Sequence, residues 1–369
     1  MQTLTLYGVP HSMFTGRARS YLIKLGVPYR ELPPTTDHYR QEVVPRAGGR
    51  ATLPTIEFDD GDVIRDNALI ADHFEAGFGQ PFTPAGPKQQ FVSLLFAVIG
   101  AEGMYRPALH YRWNFADAHR DFFQYHFETF IGPAEGLVDR VMEYMQKSTR
   151  RIGVTPETIP VVEAVYLDQL KALDRHFAAH GYLLGGRPCI GDFSMMSPLF
   201  GHLGRDPAAL ALMHTHGPRV LRWVERMNRQ EAGLIEYENR SETWCPDDSV
   251  PDTLLDVLRA FAEDFVPETL AAAEAIDAWI AAQDELAPGT ACERGAGTAE
   301  FEVRGITVRA VAQPYRFFLL KRLQDARAAM QPADGQAIDE LLDACGMTPV
   351  LGATLGREVA FRDNLEVWC

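Results

Sequence analysis

Three short stretches in the first 70 residues carry groups able to act on a small polar ligand. His11–Arg19 (HSMFTGRAR) puts Ser12 where a helix is expected to begin. A hydroxyl there can hold an anion through one charge-assisted hydrogen bond, helped by the helix dipole. Thr15 carries the same group one turn on, and Tyr7 brings a phenol at the end of the preceding strand. In Thr52–Ile70 (TLPTIEFDDGDVIRDNALI), Leu53-Pro54 opens a β-rich run and Asp60-Gly61 gives a hairpin signal. A proline is tolerated at a strand start, where its missing N–H is not needed. A cis Leu53–Pro54 bond would turn the N–H and C=O of Leu53 outward, free to pair with an extended ligand. At the end of the run Asp66 and Asn67 each suit a helix N-cap. There an acidic side chain can meet an ammonium, and the helix N-terminus favours a carboxylate.

These residues must be positioned by a regular frame. The first 80 residues read β-α-β-α-β-β-α. Strand Thr3–Tyr7 is followed by a helix over Ser12–Leu25, whose Ala18, Tyr21, Leu22 and Leu25 share one face; Gly26 supplies the stop. Tyr29–Leu32 makes a second strand, Thr35–Arg50 holds a short helix, and the hairpin leads into a helix ending near Ala76-Gly77. Gly79–Lys88 (GQPFTPAGPK) reads as a linker. Beyond it the chain is helical to about residue 230, with a long amphipathic stretch over Val161–His180. Cys189-Ile190-Gly191-Asp192 opens a further helix; with a thiol in place of a hydroxyl, only the Asp192 half of a capping box is expected. From 231 onward, Leu254–Phe265 and Pro267–Ala282 read as two helices and Pro314–Met330 as a third. Glu300–Ala310 and Glu358–Val367 alternate as hairpins. A two-stranded hairpin is marginal alone, so the two are expected to pair into one small sheet packed on the helical region.

The order Leu-Pro, strand, Asp-Gly turn, strand, acidic/amide cap, helix resembles the glutathione-binding half of cytosolic glutathione transferases, and residues 181–200 resemble the capping-box region of their helical domain. The resemblance covers about residues 1–230. It implies an α/β thioredoxin-like domain (1–80), an all-α domain (88–230) and an additional α+β extension (231–369). It implies glutathione as co-substrate and a small, apolar electrophile as the second substrate. Ser12 then matches the catalytic serine of theta- and tau-like members, a donor to the thiolate, with Tyr7 and Thr15 as alternatives. Leu53 and Pro54 would hold the cysteinyl portion. Asp66-Asn67 would hold the γ-glutamyl end, although the family pattern is an acidic residue followed by a hydroxyl. His38, Arg50 and Thr52 are candidates for the glycine carboxylate. The electrophile pocket is expected from Tyr105, Arg106 and Tyr111, within the run that also holds Met104, His110 and Trp113. Arg17 and Arg19 could bear on glutathione or the domain interface, with a solvated charged face the preferred reading.

Composition narrows the alternatives. Lys+Arg number 35 against 50 Asp+Glu, a net charge of −15, which argues against a nucleic-acid partner, since that requires a basic surface. The chain opens almost directly in a strand, without the charged and apolar segments of a leader, and no run of about 18 apolar residues suggests a membrane span; a cytoplasmic protein is expected. Five widely spaced cysteines fit a reducing compartment. No metal is expected: His214-Thr215-His216 lacks a completing ligand. No cysteine precedes Cys189, which argues against a thiol reductase working from the first helix. A non-catalytic ligand-binding or assembly protein of the same fold is the alternative function, and a homodimer is open as the assembly.

Overall fold

The computed structural model describes residues 4–131 and 136–369; Thr3, assigned above to the first strand, lies outside them. Strand β1 (Leu4–Tyr7) lies between β2 (Tyr29–Leu32), parallel to it, and β3 (Thr55–Phe58), antiparallel. β4 (Val63–Arg65) closes the sheet in the order β2-β1-β3-β4. Helix α1 (Met13–Leu25) makes the crossover from β1 to β2, and Gly26 ends it with φ 74°, a left-handed conformation suited to glycine. Residues 39–46 form a π-helical turn (Tyr39–Val43) running into α2 (Val44–Arg46). Helix α3 (Asn67–Phe78) follows the hairpin. This mixed sheet and its helices are the thioredoxin-like arrangement, with Leu4, Leu6, Leu22, Ile56 and Ile70 in its core.

An all-helical region follows: α4 (Pro87–Glu102), α5 (Tyr105–Trp113), α6 (Arg120–Ile131), α7 (Leu137–Arg151), α8 (Ile159–His176), α9 (Ile190–Gly201), α10 (Pro207–His216) and α11 (Pro218–Met227). Gly100 of α4 abuts the backbone of α9, where an added Cβ would come within 2.4 Å of the Ser194 carbonyl carbon. The α9 cap departs from expectation. Asp192 accepts from the Cys189 N–H at 2.9 Å, and the Cys189 sulfur stands in for the absent hydroxyl, so both halves of the capping box are present. The Pro87–Trp113 stretch is long and apolar enough to cross a membrane, contrary to the sequence reading, but 83% of its most apolar window is buried inside the protein.

The last third corrects two expectations. The two helices read around Pro267 are one, α12 (Asp252–Ala281), with the proline inside it. The helix continues because its flanks are buried at Phe261, Phe265 and Ala272, and burial outweighs one lost backbone bond. The hairpins β5 (Thr298–Val303)/β6 (Ile306–Val311) and β7 (Val359–Arg362)/β8 (Leu365–Trp368) form two separate sheets rather than one. Each turns through two residues of positive φ, Arg304-Gly305 and Asp363-Asn364. Each is stabilised by packing elsewhere. β5 lies on α12, while Asn364 reaches the first domain, accepting from the Arg65 N–H at 3.1 Å and donating to the Val63 carbonyl at 2.9 Å. Between them α13 (Pro314–Ala328) packs on α4, and α14 (Pro332–Cys345) packs on α12.

A buried ion cluster fastens this extension. Arg106 of α5 meets Asp264 (3.1 Å) and Glu268 (2.7 Å) of α12, and Arg316 of α13 meets Glu268 at 2.8 Å. Burial lifts Asp264 to about 6 although Arg106 opposes it. Burial also pushes Glu268 upward, but two guanidinium groups outweigh it and hold the carboxylate near 2.

Candidate active site

The N-terminus of α1, the Leu53–Pro54 segment and the N-terminus of α3 converge on a cavity of about 410 Å³. Ser12 is the N-cap of α1, in extended conformation, and its Oγ accepts the Thr15 N–H at 3.3 Å. A hydroxyl acting there as acceptor keeps its own hydrogen to donate, and Ser12 lines the cavity. The Leu53–Pro54 bond is cis. Neither the N–H nor the C=O of Leu53 has a protein partner among the described residues, and Leu53 also lines the cavity.

Asp66 caps α3, its carboxylate accepting from the Ala68 N–H at 2.8 Å. Its φ of 93° is left-handed backbone that a residue with a Cβ seldom adopts, a strain of about 1–3 kcal/mol. The same carboxylate accepts the Tyr315 hydroxyl at 2.8 and 3.0 Å, so the first helix of the extension's second half touches the predicted ammonium site. Burial raises Asp66 above the usual carboxylate range, against the Tyr315 and Ala68 hydrogen bonds. Asn67 is buried, with its Oδ1 unpartnered.

The cationic end is also shared with the extension. Arg50 pairs with Glu366 at 3.0 Å and donates to the Cys292 carbonyl. Arg65 pairs with Glu366 at 2.6 Å and donates to the Thr52 hydroxyl at 2.9 Å. Cys292 itself reaches the wall, which brings a thiol to the site despite its distance in sequence. Burial, with Glu366 adding to it, pushes that thiol up to about 12, so it is not a thiolate at neutral pH.

Several predicted residues lie elsewhere. Tyr7 points to the other side of the sheet and donates to Glu57 at 2.8 Å; burial and that carboxylate hold its phenol far above 10. Thr15 is fully buried, its Oγ1 accepting the Val9 N–H at 3.4 Å. His38 pairs with Glu57 at 2.9 Å, off the cavity. Arg106 is consumed by the ion cluster, and Tyr111 is stacked on Phe115 with centroids 5.7 Å apart. Of the expected electrophile-pocket residues only Tyr105 lines the cavity. Arg17, read as solvated, is buried, donates to Ser194 at 2.9 Å and lines the cavity; Arg19 pairs with Glu31 at 2.6 Å. For Arg17 and Arg106 the cause is the same. A helix's apolar period gives its buried face, but not which polar residue a second domain will cover.

Sequence reasoning missed Glu102 and the extension's contribution, chiefly Cys292, Gln313, Tyr315 and Glu366. Glu102 follows the unbroken apolar run Leu94–Ala101, which was a usable signal. Nothing local marks the others.

Residues 6–82 match the model of the glutathione S-transferase N-terminal domain. A search of curated proteins gives no match. Among solved structures, the chain is similar to a glutathione S-transferase from Xanthobacter autotrophicus Py2 (17% identity over 60% of this chain and 91% of that one, TM-score 0.37). It is also similar to the β-etherase LigF from Sphingobium sp. strain SYK-6 (16% identity, 62% and 96%, TM-score 0.43). A third is a glutathione S-transferase from Methylobacterium radiotolerans in complex with glutathione sulfonate (15% identity, 66% and 98%, TM-score 0.37).

Proposed function

We propose that the cavity binds glutathione and stabilises its thiolate for attack on a small, largely apolar electrophile. The observation that carries this reading is the unpaired backbone of Leu53 facing the same cavity as the Ser12 hydroxyl. An extended cysteinyl residue pairing with Leu53 would bring its sulfur toward the α1 N-terminus. Asp66 and the unpartnered Asn67 Oδ1 supply acceptors for an ammonium, and Arg50 and Arg65 supply cations for a carboxylate. A thiol with pKa near 8.5 is only a few per cent ionised at pH 7; lowering it by about two units is worth roughly 2.7 kcal/mol. Ser12 contributes to that through one charge-assisted bond, with the α1 dipole adding to it. Proximity supplies the rest of the rate.

The reading extends to a cytoplasmic enzyme. A second reading, a non-catalytic ligand-binding protein, is favoured by one specific observation: Tyr315 and Glu366 already engage the groups that would meet the two charged ends of the ligand. Calorimetry with glutathione and thiolate absorbance in the complex separate the two. Binding with a bound thiol pKa below 7.5 supports the enzyme. Binding with an unshifted thiol supports the carrier, and no binding at millimolar glutathione refutes the enzyme.

A further inference from the structure

Glu102 closes α4 and Tyr105 opens α5, and both line the cavity. Glu102 is 2% exposed. Its Oε1 accepts the Tyr105 hydroxyl at 3.1 Å, and its Oε2 has no partner among the described residues. Charged and titratable groups face it from each neighbouring element. Arg316 of α13 donates to the Glu102 backbone carbonyl at 3.1 Å, and Glu268 of α12 sits behind Arg316. Asp66 and Tyr315 are close enough for their charges to be felt. An ionised carboxylate with one bare oxygen is costly in such a place; a carboxylic acid is far less so. Burial, opposed by Arg316, lifts the group to about 8. At neutral pH Glu102 therefore holds a proton. With that proton on Oε1 the bond to Tyr105 reverses: the acid donates to the phenolic oxygen, and the phenolic hydrogen turns outward to the cavity.

We propose that Tyr105 and Glu102 form a proton-delivering pair for electrophiles whose reacting carbon bears oxygen, with Tyr105 as the ligand-facing donor and Glu102 as the positioning residue that resupplies it. The proposal rests on the thiolate reading above. The sulfur forms a C–S bond while the C–O bond breaks, its electron pair staying on oxygen. That oxygen takes the Tyr105 proton, Tyr105 takes the Glu102 proton, and the Glu102 carboxylate regains one from solvent. The last proton balances the one the thiol lost on ionising.

The test compares two electrophiles with the full-length protein and glutathione: styrene oxide, whose opened oxygen needs a proton, and 1-chloro-2,4-dinitrobenzene, whose chloride does not. General acids contribute about 10²–10⁴-fold. Tyr105→Phe, which keeps the ring beside Phe14, should therefore lower the epoxide-to-chloride activity ratio by about 10²-fold or more through kcat, and Glu102→Gln by about tenfold or more. The wild-type epoxide rate should fall above about pH 8, and Glu102→Gln should abolish that limb. The double variant should lose no more than Tyr105→Phe alone, as expected of groups acting as a unit. Equal losses on both electrophiles, additive losses, a basic limb that survives Glu102→Gln, or wild-type activity on the chloride alone would each overturn the pair while leaving the thiolate reading intact. Inactivity on both electrophiles would overturn that reading, and the pair with it.

Discussion

Beside the face that Glu102 and Tyr105 supply, the cavity has two walls of different origin. Residues 12–67 build one from a helix cap, a cis Leu-Pro corner and a second helix cap. Residues 292–366 build the other from a loop, the start of α13 and the last strand. On the first wall the two helix caps are positioned by bonds to residues within a few positions: Ser12 with Thr15, Asp66 with Ala68. On the second, placement depends on partners about 250–300 residues away, as with Tyr315 on Asp66 and Glu366 on Arg65. The caps of the first wall are set by local chemistry, while the second wall exists only if the extension is docked. That difference makes the walls separable by mutation.

The largest expected effect removes the docking rather than a wall. Arg106→Ala leaves Asp264 and Glu268 buried without their main cation, a loss of about 3–5 kcal/mol. Urea unfolding reads it, and a loss under 1 kcal/mol would mean that α12 is not held by this cluster. A pH effect comes next. Glu102 titrates near 8 in the folded chain against an ordinary value of 4.5. The folded state thus keeps a proton the unfolded state releases, and this contribution to stability is full below pH 4.5 and lost as pH rises through 8. Wild type should fall by on the order of 3 kcal/mol relative to Glu102→Gln between pH 5 and 8. Parallel stability curves for the two proteins would show that Glu102 is ionised throughout.

The same contrast explains how much was legible in the sequence. The sheet, the Ser12 cap and the Asp66-Asn67 cap follow from turn and cap residues and short periods, which act over a few positions. Tyr7 and Thr15 were open alternatives to Ser12 because a strand end and a helix start each expose several hydroxyls. Only the three-dimensional packing turns Tyr7 to Glu57 and buries Thr15. The single α12 and the separate hairpins escaped for the opposite reason. Pro267 and the marginal hairpins are weak locally, and tertiary burial decides them.

A smaller effect isolates the local wall. Ser12→Ala should raise the pKa of bound glutathione by one to two units, about 1.4–2.7 kcal/mol. The lost cap should cost only about 1 kcal/mol of stability, and Ser12→Thr should restore both. A thiol absorbance titration that does not move would transfer thiolate stabilisation away from α1.

The smallest effect tests whether the second wall competes with the ligand or completes its site. Glu366 gives its carboxylate to Arg50 at 3.0 Å and to Arg65 at 2.6 Å. A ligand carboxylate arriving at the same guanidinium groups must share them with Glu366 or displace it. Like charges in one partly desolvated place repel, so Glu366→Gln should relieve the repulsion while its amide oxygen still accepts from Arg65. The expected result is glutathione binding tightened about fivefold, roughly 1 kcal/mol, with the gain shrinking at high salt because screening weakens the repulsion being removed. Calorimetry at two ionic strengths measures both. If Glu366→Gln weakens binding instead, Glu366 orients the two arginines for the ligand, and the extension is then a working part of the site rather than a rival occupant of it.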